Sequence, residues 1–257
     1  MPTVTLPGGG RLHYRQHADG AHSAPLVLVH GAGGNHMHWP AELRRLPDAV
    51  VYSLDLPGHG KSDGPGQPNI GAYAEAVHTF VDALGLPRFV LVGHSMGGAI
   101  ALEYALHYAP RLAGLVLIST GGQLCVAPEL LSDLRTDFAR TTELLAVRTH
   151  AADVDPERLR LFVRRLREVG PEVLHGDFAA CERFDRLADL HRVSVPALVL
   201  CGEADRMTPV ESSRAMAERI PDAQLVVIPA AGHMVMLERP AEVAGLLTEW
   251  LRSRGLH

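Results

Sequence analysis

The sequence is poor in lysine and cysteine, and these shortages narrow the classes of protein it can encode. Its 24 basic residues are 23 arginines and the single Lys61, against 29 acidic residues, so the net charge is −5. The arginines are spread along the chain and form no basic patch. We therefore expect no binding to nucleic acid and none to an anionic membrane surface.

Cysteine is also scarce. Cys125, Cys181 and Cys201 are odd in number, widely spaced and without a C-x-x-C pair, which argues against a disulfide framework and favours a reducing compartment. No apolar run reaches 18 residues, and no signal-like hydrophobic region follows Met1. We expect a cytoplasmic protein. A chain of 257 residues buries enough surface to fold without a metal or disulfide, and we expect no cofactor.

Short, nearly continuous apolar runs are what the chain does have. They cover residues 26–29, 50–54, 89–92, 115–118, 197–200 and 225–228. Such runs are typical of parallel strands that are covered on both faces, and helical patterns lie between them. Residues 3–6 and 11–15, separated by Pro7-Gly8-Gly9-Gly10, predict an antiparallel hairpin. The predicted fold is α/β, an eight-stranded mostly parallel sheet with helices on both faces and an antiparallel N-terminal edge.

The alternation of strands and helices stops between residues 122 and 192. Phe162, Val163 and Leu166 belong to an apolar stripe with helical spacing, and prolines stand where helices would begin. This pattern predicts a helical cap, residues 122–192, inserted between core segments 1–121 and 193–257. A bulky surface excursion without a role at the site is the alternative.

Gly93-His94-Ser95-Met96-Gly97 lies between an apolar run and a helical pattern. A G-x-S-x-G segment in a strand–turn–helix context holds a serine at the apex of a sharp turn. Glycines two residues before and two residues after remove side chains that would collide with the neighbouring strand and helix. Ser95 is therefore the candidate nucleophile. The N–H group of Met96, at a helix N-terminus, faces any negative charge that develops there.

A serine hydroxyl needs a base, and the base needs a group that holds its tautomer. Among 15 histidines, His233 follows the last apolar run in a loop that contains Pro229 and Gly232. Loops that leave the carboxyl ends of parallel strands converge above one edge of the sheet. His233 is therefore the candidate base for Ser95.

The acid is expected in the loop after the preceding strand, which contains Glu203 and Asp205. Asp205 is favoured because it lies three residues beyond Gly202, which gives the loop room to turn the carboxylate toward His233. Glu203 remains an alternative. The loop after Ile118 contains no acid.

The other histidines near these loops are interpreted structurally. His30, His59 and His94 are expected to pack loops through hydrogen bonds. His36 and His38 have a spacing that suggests metal ligands, but no carboxylate or cysteine cluster joins them in the sequence, so no metal is expected. The segment Gly31-Ala32-Gly33-Gly34 does not match the dinucleotide-binding pattern.

The chain resembles the α/β-hydrolase family, and in particular serine carboxylesterase-like members with a helical lid, over essentially its whole length. The segments that carry this resemblance are the serine turn, His30-Gly31-Ala32-Gly33-Gly34-Asn35, residues 55–62, residues 202–205 and Gly232-His233. The resemblance implies that the backbone N–H groups of Ala32 and Met96 form an oxyanion hole. Glycines around Ala32 agree with it, since they allow close approach of a substrate oxygen.

By the same resemblance, Ser95, His233 and Asp205 hydrolyse carboxylic esters of short or medium acyl chain. The expected partner is a small-molecule ester, and the expected assembly is a monomer or homodimer. Apolar cap residues beside Met37, Trp39, Met96 and Met234 predict a mainly apolar pocket. Similar sequences also include carbon–carbon bond hydrolases, thioesterases, lactonases, perhydrolases and menaquinone-pathway lyases. A small-molecule receptor of the same fold is the non-enzymatic alternative.

Overall fold

In the computed structural model, which describes residues 2–7, 9–19 and 24–256, eight strands form one sheet in the order β1-β2-β4-β3-β5-β6-β7-β8. The strands are β1 Thr3–Thr5, β2 Arg11–Ala18, β3 Leu26–Val29, β4 Val50–Leu54, β5 Phe89–His94, β6 Leu112–Ile118, β7 Ala197–Gly202 and β8 Ala223–Ile228. β2 pairs antiparallel with β1 and β4, and the remaining pairs are parallel. The predicted sheet and its antiparallel edge are confirmed. Met1 and Gly8, which the sequence predictions used, lie outside the described residues.

Each apolar run is a strand whose alternate side chains enter opposite faces of the sheet. In β5, Phe89 and Leu91 belong to one buried cluster, while Val90 and Val92 belong to the cluster on the other side. All six residues of β5 are buried. Since both faces of this central strand are covered, an alternating polar pattern is absent from its sequence.

The helices of the described residues are α1 Ala41–Arg44, α2 Ile70–Ala83, α3 Met96–His107, α4 Pro128–Thr136, α5 Phe138–Thr149, α6 Pro156–Val169, α7 Pro171–Glu182, α8 Val210–Arg219, α9 Val235–Glu238 and α10 Pro240–Ser253. Helices α2, α3 and α8 cover one face of the sheet, and α1 and α10 cover the other. Within this part of the chain, no helix has the length and apolar character that crossing a bilayer requires.

Two helices follow one another at the end of the chain, separated by Arg239. α9 ends at Glu238, and α10 begins at Pro240. Proline has no N–H group to continue a helix and restricts the residue before it. Arg239 accordingly leaves the helical conformation, with φ −131° and ψ 57°.

Four helices, α4 to α7, follow one another between β6 and β7, and we call residues 128–182 the helical insertion. Three of them begin at Pro128, Pro156 and Pro171, as predicted. Phe162 and Leu166 of α6 and Leu174 of α7 belong to the same apolar cluster as the second face of the sheet, whereas Ala180 and Cys181 of α7 belong to the cluster on the first face. The cap boundaries at residues 122 and 192 remain a prediction.

Candidate active site

Ser95 is the single residue between the end of β5 and the start of α3. Its backbone has φ 53° and ψ −119°, a conformation that a non-glycine residue rarely adopts. A Cβ atom at Gly93 would collide with the carbonyl oxygen of Gly97, and one at Gly97 would collide with the carbonyl oxygen of Val29. The turn therefore requires glycine at both flanking positions, and it projects Ser95 away from the sheet.

The histidine loop after β8 brings His233 to this serine. The Nε2 atom of His233 lies 2.9 Å from Ser95 Oγ. His94, beside the serine, donates from its own Nε2 to the carbonyl oxygen of His233 at 3.0 Å. The strand that carries the serine thus also holds the backbone of the histidine.

Asp205 lies on the far side of His233. Its Oδ2 and Oδ1 are 2.9 Å and 3.1 Å from His233 Nδ1. Because a carboxylate only accepts, Nδ1 carries the proton, which leaves Nε2 free to accept from the Ser95 hydroxyl. Asp205 Oδ1 also accepts from the N–H groups of Met207 and Thr208, and Oδ2 accepts from the Thr208 hydroxyl at 2.8 Å. This geometry allows the Ser95 hydroxyl to pass its proton to the His233 imidazole, whose orientation Asp205 fixes.

The alternative acid, Glu203, is exposed and has a different partner. Its Oε2 lies 3.4 Å from the N–H group of Ala230, and the structure gives it no contact with His233 among the described residues. Of the two acids in the loop, Asp205 is the one that the structure brings to the histidine.

Burial, nearby charges and hydrogen bonds together set the pKa values of Asp205 and His94. Burial by itself raises the pKa of Asp205, but attraction to His233 and hydrogen bonds from His233 and Thr208 outweigh burial and lower that pKa. Burial, with repulsion from His233, lowers the pKa of His94 to about 3. His94 therefore stays neutral at neutral pH and adds no positive charge beside the imidazole.

The loop after β3 approaches Ser95 closely. A Cβ atom at Gly31 would lie 3.0 Å from His94 Nδ1 and 3.1 Å from Ser95 Cβ. Ala32 lines the same cavity as Ser95, and Met96 is the first residue of α3. Both residues predicted to supply the oxyanion-hole N–H groups thus lie next to Ser95, one in the same cavity and one following it in the chain. Their catalytic role remains a prediction.

A small cavity of about 50 Å³ opens beside Ser95. Its apolar lining comes mostly from the helical insertion: Leu145, Phe162, Leu166 and Phe178, with Met207 and Met234 from the core. Of the four pocket residues predicted outside the cap, Met234 lines this cavity. The prediction is wrong for Trp39 and Met96, whose side chains are fully buried in the core, and for Met37, which is 41% exposed.

His30 is buried and bridges two loops through hydrogen bonds. Its Nδ1 lies 2.8 Å from Gly31 O, and its Nε2 accepts from the N–H group of Leu56 at 3.1 Å. Burial lowers the pKa of His30 to about 3, so its ring is neutral. His30, His94 and His59 all form the packing hydrogen bonds expected of them.

The expectation that no carboxylate joins His36 and His38 is wrong for His36. The Asp55 carboxylate lies 2.9 Å from His36 Nδ1 and 2.7 Å from His13 Nδ1, and all three side chains are buried. Burial raises the pKa of Asp55, but hydrogen bonds from His36 outweigh this effect and bring the pKa well below its usual value. Because both carboxylate oxygens already accept N–H groups, hydrogen bonding explains the cluster. The sequence did not reveal it because His13 and Asp55 are 42 residues apart.

Several supporting residues were missed from sequence. Thr208 binds Asp205, and Thr120 donates to the carbonyl oxygen of Ser95 at 2.8 Å. Glu238 accepts from the N–H group of Gly232, beside His233, and from that of Ala151 in the helical insertion, both at 3.0 Å. Of these residues, only Thr208 could have been predicted from the sequence, because its hydroxyl lies three residues after Asp205.

A parallel sheet crossed by helices, with a strained serine between strand and helix, defines the class of α/β hydrolases. Residues 26–246 match the alpha/beta hydrolase family, and the chain belongs to that family.

Three relatives illustrate the similarity. The chain is 32% identical over 259 residues to the dihydrolipoyllysine-residue acetyltransferase component of an acetoin cleaving system from Pseudomonas putida, covering 95% of this chain and 68% of that protein. It is 29% identical over 244 residues to a pimeloyl-[acyl-carrier protein] methyl ester esterase from Photorhabdus laumondii, covering 89% and 92%. The solved structure of a thermophilic esterase from Thermogutta terrifontis superposes with a TM-score of 0.85 at 32% identity, covering 98% and 97%.

Proposed function

We propose that the protein is a serine hydrolase that cleaves carboxylic esters of short to medium acyl chain through an acyl-enzyme intermediate. The observation that carries the proposal is the pair of contacts at His233, 2.9 Å to Ser95 Oγ on one side and 2.9 Å to Asp205 Oδ2 on the other. Nucleophile, base and orienting acid in this order are the requirements of acyl transfer.

In the first half-reaction, His233 Nε2 takes the proton of Ser95 as Oγ attacks the ester carbonyl carbon. The carbonyl π electrons move to its oxygen, where the N–H groups of Ala32 and Met96 stabilise the negative charge. Asp205 stabilises the imidazolium that has formed. When the carbon–oxygen bond to the alcohol breaks, the alcohol oxygen takes the proton from His233, which leaves an acyl group on Ser95.

In the second half-reaction, water replaces the alcohol. His233 removes a proton from the water as its oxygen attacks the acyl carbon, and the same two N–H groups receive the second oxyanion. Collapse of this intermediate breaks the bond to Ser95 Oγ, which takes the proton back from His233. The products are a carboxylic acid, an alcohol and the free enzyme.

Similarity to known esterases favours ester substrates. A pimeloyl-[acyl-carrier protein] methyl ester esterase and a thermophilic esterase are among its relatives at 29% and 32% identity. A short or medium acyl chain is favoured by the small size and mainly apolar lining of the cavity at Ser95. Phe162, Leu166 and Met234 supply flat and flexible apolar surface there.

Steady-state turnover on p-nitrophenyl esters from acetate to laurate tests the proposal. We expect the highest kcat/KM at short or medium chains, and labelling of Ser95 by a fluorophosphonate, located by mass spectrometry of the peptide. Faster turnover of a matched thioester, lactone or β-diketone would reassign the substrate. One stoichiometric burst without turnover would favour a receptor and contradict the proposal.

A further inference from the structure

Asp177, on α7 of the helical insertion, is a fully buried carboxylate that the proposed mechanism does not use. It accepts three hydrogen bonds from three separate parts of the core: from the N–H group of Gly33 at 2.9 Å, from His59 Nε2 at 2.8 Å and from the Tyr73 hydroxyl at 2.6 Å. Those donors belong to the loop after β3, the loop after β4 and helix α2. One side chain of the insertion therefore ties together three core segments.

The charges in this cluster are paired. His59 Nδ1 lies 2.9 Å from the carbonyl oxygen of Pro57, and its Nε2 faces Asp177. Because both partners only accept, both ring nitrogens carry protons, and His59 is an imidazolium. Burial lowers the pKa of His59, but attraction to Asp177 and its hydrogen bond outweigh burial and raise that pKa. Breaking a buried pair by removing one partner is strongly unfavourable, so Asp177 is held firmly in place.

The donor Gly33 directly follows Ala32, the residue proposed to supply one oxyanion N–H group. The peptide unit between Ala32 and Gly33 is planar, so a hydrogen bond to the Gly33 N–H group fixes the orientation of that whole unit. Only the two backbone torsions of Ala32 then separate the fixed plane from the Ala32 N–H group.

Packing from the insertion holds Gly33 as well. Gly33 has φ +63°, and a Cβ atom there would lie 2.6 Å from a methyl carbon of Leu174 and 2.9 Å from one of Leu166. These leucines belong to α7 and α6, so both the hydrogen bond and the packing at Gly33 come from the helical insertion. The core by itself makes neither contact.

We propose that Asp177 is a positioning residue for the oxyanion hole: by holding the Gly33 N–H group, it aligns the Ala32 N–H group only when α7 is seated against the core. The inference rests on the proposed function, because it concerns the stabilisation of the same oxyanion. It adds a role for the insertion beyond lining the pocket, since seating of α7 then completes the site.

Asp177→Asn is the central test, because asparagine keeps the size of the side chain but removes its charge and one acceptor. With a short p-nitrophenyl ester, we expect kcat to fall about 10- to 100-fold, less than the loss of a whole oxyanion donor. KM is expected to stay within about threefold, because the interaction acts on the transition state.

A boronic acid that forms a tetrahedral adduct with the serine reports on the oxyanion hole independently of turnover. Its inhibition constant is expected to rise by about the same factor as kcat/KM falls. Asp177→Glu, which keeps the charge, is expected to recover part of both losses. Glu182→Gln removes an exposed charge from the same helix and serves as the control, with kcat and inhibition unchanged.

Tyr73→Phe removes one donor to Asp177 without changing charge, and it keeps the test available if Asp177→Asn does not fold. We expect a smaller fall in kcat and a weaker boronic acid complex. A lower melting temperature with wild-type kcat and inhibition constant in the folded variant would reduce Asp177 to a purely structural role and overturn the inference. A wild-type protein that neither turns over esters nor binds the boronic acid would instead overturn the proposed function.

Discussion

Two of the buried aspartate–histidine pairs among the described residues, Asp205–His233 and Asp177–His59, differ in what the second ring nitrogen of the histidine faces. Asp205 holds His233 at 2.9 Å, and the other nitrogen of His233 faces the Ser95 hydroxyl. Asp177 holds His59 at 2.8 Å, and the other nitrogen of His59 faces a backbone carbonyl. A hydroxyl can donate a proton, whereas a carbonyl cannot.

This difference separates the proposed base, His233, from a histidine that only holds its neighbours in place. His233 has a neutral tautomer with an acceptor nitrogen aimed at a nucleophile, so it can take a proton. Both nitrogens of His59 are committed as donors, so it can only hold its neighbours in place. Proximity of an aspartate to a histidine is therefore not enough to propose a catalytic pair; the group that faces the second ring nitrogen must also be able to donate a proton.

The largest expected effect is that of Ser95→Ala, which removes the hydroxyl group that His233 Nε2 faces. We expect turnover of p-nitrophenyl butyrate to fall on the order of 10⁶-fold, measured at saturating substrate. Ser132→Ala, at an exposed position on α4, is the control and should match the wild type. Appreciable hydrolysis by Ser95→Ala would remove the serine from the mechanism.

Asp205→Asn is expected to lower kcat by roughly 10³- to 10⁴-fold, because an asparagine can donate to His233 and favour the wrong tautomer. The same change at Asp177 is expected to cost about 10- to 100-fold. Stopped-flow or steady-state kinetics on one substrate measures both variants. If the two variants lost the same factor in kcat, the group that faces the second histidine nitrogen would not distinguish the two pairs.

Thr208→Val tests the support of Asp205 on a finer scale. It removes the hydroxyl that donates to Asp205 Oδ2 at 2.8 Å and keeps the shape of the side chain. We expect kcat to fall about 3- to 10-fold, since a hydrogen bond to a charged group is worth about 1.5–3 kcal/mol and part of it is replaced. Thr208→Ser, which restores the hydroxyl, should recover most of the rate, and failure to do so would argue against the hydrogen bond as the cause.

The pH dependence of stability concerns folding rather than turnover, and it separates His59 from the neutral histidines. Burial lowers the pKa values of His30, His38 and His94 to about 3, whereas the ordinary pKa of a histidine in an unfolded chain is 6.5. Between these values the unfolded chain binds protons that the folded protein does not. Acidification below pH 6.5 should therefore lower the unfolding free energy by up to about 1.4 kcal/mol per pH unit for each histidine.

Urea denaturation at a series of pH values measures this slope. His38→Phe removes one of the three groups while keeping a ring against Phe162, so its slope should be shallower by up to about 1.4 kcal/mol per unit. An unchanged slope would mean that His38 is not neutral in the folded protein. His59 has the opposite sign: because its pKa is raised on folding, its contribution is complete below pH 6.5 and is lost as the pH rises through the raised value.

Sheet, serine turn and histidine loop were accessible from local patterns because each is set by neighbours in the chain. The apolar runs predict strands covered on both faces, and the glycines around Ser95 predict its turn. Pocket residues were harder: Trp39 and Met96 are near the site in sequence, yet their side chains point into the core. Which way a side chain faces depends on packing against elements far along the chain.

The order of residues alone predicted the architecture and pointed to Ser95, His233 and Asp205, which the structure places in contact, because strand ends of a parallel sheet meet at one edge. Only the tertiary structure decided which buried histidines are charged, and that Asp177 reaches Gly33 across 144 positions. Hydrogen bonds and burial of this kind depend on distances in space, and no periodicity or spacing along the sequence encodes them.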